Sequence, residues 1–423
     1  MILKNKKMRF LNKITFLFTA LLMPFIANAY SFTVDGIYYN IYGNYVTVTY
    51  KGSNYLQYKS YSGDVEIPAT VNYNGKTYIV NEIGHSAFSE CDELKSITIP
   101  ATITKIDKYA FSRCYGLETI NYNAISCEDF RLVWGYDSLN VTTINVGNSV
   151  QRIPKDFANG RLPKLSNVII GNSVSVIGQC AFGYCKGLTE ITIPNSVIEI
   201  EEAVFLECRG LKNIRIPNSV NQLGKNAFRS CTSLVSVTLP ESLTSISDGL
   251  FSNCTALGSF DIPNGVTSIG SDAFLRCTNL TDVTIPSSVT EIKSFAFYDC
   301  SALEKVYSYI NDISNVTIVS DGTFWIANND YSNRTLFVRP GLVEAYQNSS
   351  YWFPYFGHIV EMCELIGDVD SSNDVNISDV TALIDFLLTG NNSLISINTA
   401  DIDGNGSINI SDVTTLIDIL LTR

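Results

Sequence analysis

Histidine is almost absent: His85 and His358 are the only two among 423 residues. That scarcity argues against a histidine-rich metal centre and against Ser–His or Cys–His catalysis, which needs an imidazole beside its nucleophile. Charge is sparse as well, at 17%, and its basic share is small, with 29 Lys and Arg against 41 Asp and Glu. Five of those basic residues (Lys4, Lys6, Lys7, Arg9, Lys13) lie in the first 13 positions, which leaves 24 for the remainder. Such a chain carries no basic footprint for a phosphate backbone, so a nucleic-acid partner is excluded. Long apolar runs are missing too. The one candidate, residues 14–26, is 13 residues long, too short to span roughly 30 Å of hydrocarbon as a helix. It follows the Lys-rich start and leads into Ala27-Asn28-Ala29. Charged head, apolar middle and small residues at −3 and −1 are the parts of a secretory signal peptide. Residues 1–29 are therefore expected to be removed. The mature chain would begin at Tyr30, be exported, and carry no membrane span.

Eleven cysteines in an exported chain would ordinarily suggest disulfides. Their spacing points elsewhere. Cys185, Cys208, Cys231, Cys254, Cys277 and Cys300 recur every 23 residues, as do Cys91 and Cys114. Each closes the same words, as in Ala87-Phe88-Ser-Glu-Cys91 and Ala227-Phe228-Arg-Ser-Cys231. A repeat position of this kind predicts free thiols buried as small hydrophobes. Cys127, Cys180 and Cys363 fall outside that ladder.

The unit reads Leu-x-x-Ile-x-Ile-Pro-x-x-Val-x-x-Ile-x-x-x-Ala-Phe-x-x-Cys. Its first apolar residue falls at Leu94, Leu117, Val141, Leu165, Leu188, Leu211, Leu234, Leu257, Leu280 and Leu303; the intervals are 23 except for two of 24. A period in this range predicts a solenoid whose neighbouring units bury each other's apolar face. Alternation at Ile191-Thr192-Ile193 predicts a strand with isoleucine inward, ended by Pro194. A short helical turn is expected over the Ala-Phe-x-x-Cys block. The unit resembles the BspA-like leucine-rich repeat family over about residues 80–310.

The fold class expected is thus an α+β leucine-rich repeat solenoid with a small all-α module behind it. The division expected is a β-rich N-terminal cap over 30–80, the solenoid over 81–334, a C-terminal cap over 335–362 and a last domain over 367–423. Asn74-Gly75 predicts a tight hairpin within the first cap. The outward strand positions (Ser96/Thr98 through Asp282/Thr284 and Lys305/Tyr307) are mostly hydroxyl and amide groups with one aromatic. They fit a ligand surface for a protein or glycan, or a ladder stabilising neighbouring strands. No acid pair, nucleophile–base pair or phosphate loop recurs on them, so no catalytic residue is assigned.

Composition changes after Cys363. Residues 367–423 contain nine aspartates and one basic residue, Arg423. Two segments align 33 positions apart. The first supplies Asp368, Asp370, Ser372, Asn376 and Asp379 at loop positions 1, 3, 5, 9 and 12, with the carbonyl of Asp374 at 7. The second supplies Asp401, Asp403, Asn405, Asn409 and Asp412, with the carbonyl of Ser407. Six oxygens per loop suit a hard cation, and Ca²⁺ rather than Mg²⁺, which keeps its waters; two calcium sites are expected. Asn373 and Gly406 stand at position 6, where the loop needs a left-handed residue. Each loop runs into an amphipathic helix. With Asp at position 12 and one helix per loop, the segment is similar to type I dockerins.

That resemblance implies docking to a cohesin-bearing scaffold protein through loop positions 10 and 11 and the following helix. Here those are Ile377, Ser378, Leu383, Ile384 and Leu387, and Ile410, Ser411, Leu416, Ile417 and Leu420. Because both halves read Ile-Ser-Asp-Val-Thr, two docking orientations are expected. By association with the enzymes that such modules tether, the same resemblance implies a place in a polysaccharide-degrading complex; with no catalytic residue assigned on the solenoid, the chain is expected there as a non-catalytic recognition or adhesion component. A cell-surface adhesin for host or matrix protein, with the calcium module used for display or dimerisation, is the alternative.

Overall fold

In the computed structural model, described residues are 30–52, 59–127, 130, 132–136, 138–319, 322–327, 329–362, 367–370, 372, 374–390, 395, 397–403 and 407–422. The expected signal peptide, Cys363, Asn373, Asn405 and Gly406 lie outside them. Two compact units form: the described residues of Met1–Thr281, Ser288–Leu303 and Thr317–Asn328, and those of Asp282–Ser287, Glu304–Val316 and Asn329–Arg423.

The first unit is a β-solenoid opened by a mostly antiparallel sheet. Phe32–Val34, Ile37–Tyr42 and Tyr45–Thr49 pair antiparallel. Lys76–Ile83 then joins parallel to Tyr45–Thr49 and antiparallel to Thr70–Tyr73. The two-residue turn between the last pair is Asn74-Gly75, with φ of 49° and 73°, the left-handed pair that the strand twist requires.

In the solenoid, the leading apolar residue of each unit is buried, from Leu94 at 0% exposure to Leu303 at 3%. Gly63–Glu66, Leu94–Ile99, Thr119–Tyr122, Thr143–Val146 and Asn167–Ile169 stack as parallel strands, with one register shift between Gly63 and Asp64. The side chains alternate as the pleat dictates: Ile97 and Ile99 face in, while Ser96 and Thr98 remain partly exposed. A second parallel ladder of two-residue strands runs from Arg152–Ile153 through Gln222–Leu223 and again from Ser245–Ile246 through Thr317–Ile318. The coil at 188–193 departs from expectation. Ile191 and Ile193 are buried and Thr192 is exposed, but no strand pairing forms there. Alternation sets which face a residue takes; it does not by itself close a ladder.

The Ala-Phe-x-x-Cys block also departs from a helical turn. Two residues per coil adopt positive φ, one before the Ala-Phe pair and one before Cys: Asn226 at 57° and Ser230 at 60°, Asp272 at 57° and Arg276 at 56°. Left-handed residues break a helix, and each costs a non-glycine side chain of order 1 kcal/mol. Hydrogen bonds between coils offset that cost. Phe228 N donates to Leu250 O at 3.0 Å and Ser230 N to Ser252 O at 2.7 Å, a pattern repeated along the stack. Cys180, outside the 23-residue ladder, occupies the first of these left-handed positions (φ 55°).

Every described cysteine is free, and all but Cys180 are buried. The ladder cysteines have a bond as well as a volume to supply. Cys208, Cys231, Cys254, Cys277 and Cys300 each place Sγ 3.1 Å from the carbonyl oxygen of the phenylalanine one coil back (Phe182, Phe205, Phe228, Phe251, Phe274). Burial pushes the Cys208 thiol up to about 12, so it stays protonated and can donate. Cys254→Ala is expected to cost about 1–2 kcal/mol, one net hydrogen bond plus a small cavity, lowering the thermal midpoint; an unchanged midpoint would show that neither the thiol's bond nor its volume supports the stack. Above the thiols runs a stack of phenylalanine rings. Phe205, Phe228, Phe251, Phe274, Phe297 and Phe324 follow at centroid spacings of 5.1–5.7 Å, and all are fully buried.

Outward groups on the first ladder bond one another. Asn121 Nδ2 donates to Thr98 Oγ1 at 3.1 Å and Asn145 Nδ2 to Asn121 Oδ1 at 2.8 Å; in the separate parallel pair Asn213–Arg215 and Ser236–Thr238, Ser236 Oγ donates to Asn213 Oδ1 at 2.8 Å. Within the second unit Asp282–Ile285, Lys305–Ser308, Thr335–Val338 and His358–Glu361 pair as parallel strands. Phe337 stacks on Tyr307 at 4.8 Å there, an aromatic the 23-residue period does not reach.

Candidate metal centre and docking surface

The described residues of 367–422 hold two loop–helix halves around an apolar core. Val369, Val375, Val380, Leu383, Ala400, Ile402, Val413 and Leu416 form it, with Leu387, Ile408 and Leu420 packed against its edge. The helices Ile377–Thr389 and Ile410–Leu421 begin at the same point in each loop. Asn376 caps the first and Asn409 the second, and each cap is reciprocated by the aspartate three residues on. Such boxes satisfy amide hydrogens that a helix start leaves unpaired.

Those aspartates do more than cap. Asp379 is fully buried. Its Oδ2 accepts Asn376 N at 2.8 Å and its Oδ1 accepts Asp370 N at 3.0 Å, so one carboxylate ties the loop's start to its end. Asp412 repeats this, accepting Asn409 N at 2.8 Å, Ile402 N at 2.8 Å and Asp403 N at 3.2 Å. Ser372 N donates to both Asp368 Oδ1 (2.8 Å) and Asp370 Oδ1 (3.0 Å). The carbonyl of Asp374 is met by Asn376 Nδ2 at 3.1 Å, and that of Ser407 by Asn409 Nδ2 at 2.8 Å. The amide oxygens of Asn376 and Asn409 receive Ser378 N and Ser411 N; position 9 therefore shares its oxygen with the helix cap.

The carboxylates converge. One oxygen each from Asp368, Asp370 and Asp379 lie within 4.8 Å of one another, and likewise from Asp401, Asp403 and Asp412. Burial works against the charge on Asp370, but hydrogen bonds led by Ser378 and Ser372 hold its carboxyl below the usual range. Asp379 is pushed up, by burial first and by the neighbouring Asp370 charge. Like charges this close repel unless a cation lies between them. An all-oxygen set of carboxylates, hydroxyl and carbonyl is the chemistry of a calcium loop, and these residues fit that ion.

Each helix also leaves an apolar stripe outside the core, and the two stripes match. Ile377 and Ile410 are 71% and 69% exposed, Ile384 and Ile417 38% and 37%, Leu388 and Leu421 79% each. The positions expected from sequence divide. Ile377, Ile384, Ile410 and Ile417 are on the surface with Ser378. Leu383 and Leu416 have no exposed surface and hold the core instead, and Leu387 and Leu420 edge it. Leu388 and Leu421 take the outer place, one residue on, and the spacing i, i+7, i+11 from Ile377 and Ile410 is the signal that marks them.

The family model described as BspA type leucine rich repeat region matches in six copies over residues 55–189, 152–277 and 245–329. The chain belongs to that family. The model of the dockerin type I domain matches residues 366–421, so in this BspA-type repeat protein a dockerin domain follows the repeats. No curated protein matches it. Among solved structures, a leucine-rich repeat protein from Bacteroides ovatus is 24% identical, with 78% of this chain and 91% of that one covered and a TM-score of 0.51. A leucine rich cell surface protein from Faecalibacterium prausnitzii is 25% identical over 67% and 96%, TM-score 0.31. The pneumococcal vaccine antigen PcpA is 16% identical over 79% and 98%, TM-score 0.38. The first of these shares the solenoid fold. Among the described residues no helix is long and apolar enough to cross a membrane.

Proposed function

We propose that this chain is an exported, non-catalytic recognition protein whose dockerin binds two calcium ions and docks onto a cohesin-bearing scaffold, within an extracellular polysaccharide-degrading complex. The solenoid recognises a protein or glycan ligand, and the calcium loops hold the docking helices in place. The observation that carries this reading is the doubled apolar stripe: two helices with near-equal exposure at each matched position. Apolar residues that a small domain leaves outside its core, in two symmetric copies, suit a partner surface used in either of two orientations.

The test follows from that symmetry. Ile377→Asp or Ile410→Asp alone is expected to leave cohesin binding within a few-fold of wild type, because the other half still docks. The double variant is expected to lose binding, since a charge must then be buried without a partner in either orientation. Calorimetric titration of the full chain with a cohesin module would measure both. Loss of binding in one single variant, with none in the other, would replace two orientations by one.

A further inference from the structure

The serine at loop position 11 stands, by the dockerin resemblance, among the residues that face the partner. Its hydroxyl turns back to the loop. Ser378 Oγ donates to Asp370 Oδ2 at 2.6 Å, and Ser411 Oγ meets Asp403 Oδ2 at 2.5 Å. The two halves thus make the same bond across the same span, from the first turn of the helix back to loop position 3. Asp370 Oδ1 meanwhile accepts Ser372 N within the loop. With a different donor on each oxygen, the Asp370 carboxylate is held in orientation while it stands in the converging acidic cluster.

We infer that Ser378 and Ser411 are positioning residues of the calcium loops: each fixes its position-3 aspartate and so couples calcium occupancy to the docking face on which the serine lies. This rests on the loops being calcium sites. It goes beyond that reading by giving each serine a part in metal affinity without being a ligand. Hydrogen bonds behind a metal ligand orient it, and losing one costs typically ten- to a hundredfold in affinity. The coupling runs both ways, because linkage between binding sites is reciprocal.

The experiment is calcium titration of the full chain by isothermal calorimetry, with far-UV circular dichroism in EDTA as a check on the calcium-free fold. Ser378→Ala is expected to weaken one of the two calcium sites about tenfold and leave the other unchanged. Ser411→Ala should do the same to the other site. Ser378→Thr, which keeps the hydroxyl, is expected to restore wild-type affinity. The backbone bonds of the cap survive all three changes, since they use Ser378 N and Ser411 N, and Ser411→Ala removes besides only a hydroxyl contact to Asn409 Oδ1 at 2.9 Å; spectra in EDTA should therefore agree. Wild-type calcium affinity at both sites in Ser378→Ala, or failure of Ser378→Thr to restore it, would overturn the inference while leaving the loops as calcium sites. A wild-type chain that takes up no calcium would overturn the inference and the reading beneath it together.

Discussion

Replacement of Asp412 by alanine is expected to reduce calcium stoichiometry from two to one and to unfold the second loop–helix half. One carboxylate supports three roles there: it caps Ile410–Leu421, it accepts two further amide hydrogens from the loop's start, and it belongs to the converging acidic cluster. Losing an N-terminal box alone costs about 0.5–2 kcal/mol. Each loop amide left buried without an acceptor adds about 1–3 kcal/mol. A domain of this size has little stability in reserve, so the effect should exceed that of any surface change. Calorimetry would report the stoichiometry, and circular dichroism the lost helix. Asp379→Ala should produce the mirror result in the first half. Two calcium ions still bound by Asp412→Ala would show that the carboxylate is structural only.

The second large effect is expected in the solenoid. Phe228→Ala removes a fully buried ring that stacks between Phe205 at 5.4 Å and Phe251 at 5.7 Å. Phenylalanine-to-alanine changes in cores cost about 3–5 kcal/mol. In a stack of coils the cost falls on the two interfaces that the ring joins, because each repeat is held only by its neighbours. The prediction is a lower thermal midpoint with a new early transition, and protease cleavage appearing near residues 205–251. Cleavage elsewhere, or a single transition shifted by less than a degree, would mean that the ring stack does not carry the solenoid.

Much of this architecture could be read from the chain alone, and the failures are informative. The 23-residue period requires stacked coils, and cysteine at a fixed place in each period required a shared burial rather than a set of bridges; the alternation at Ile191-Thr192-Ile193 set the faces of those residues but not a strand. The spacing said nothing of why that residue is cysteine, because a thiol's bond to the previous coil's carbonyl exists only after stacking. The paired left-handed residues were hidden as well. Glu90, Arg113, Tyr184 and Asn253 take positive φ, yet only asparagine among them advertises such a turn. In the dockerin, the spacing of oxygen donors placed both acidic clusters. The helix faces were harder: Leu387-Leu388 and Leu420-Leu421 are adjacent leucines 100° apart, and only packing shows which one is outside. Ser378 and Ser411 carry no sequence sign of the aspartate each one holds.

One measurement bears on the account most directly. The full chain would be titrated with cohesin modules of its source organism, once in calcium and once in EDTA, by calorimetry. A one-to-one complex is expected in calcium and none in EDTA, with binding restored when calcium is returned. A complex that forms equally well in EDTA, or no complex with any of those modules in calcium, would contradict it.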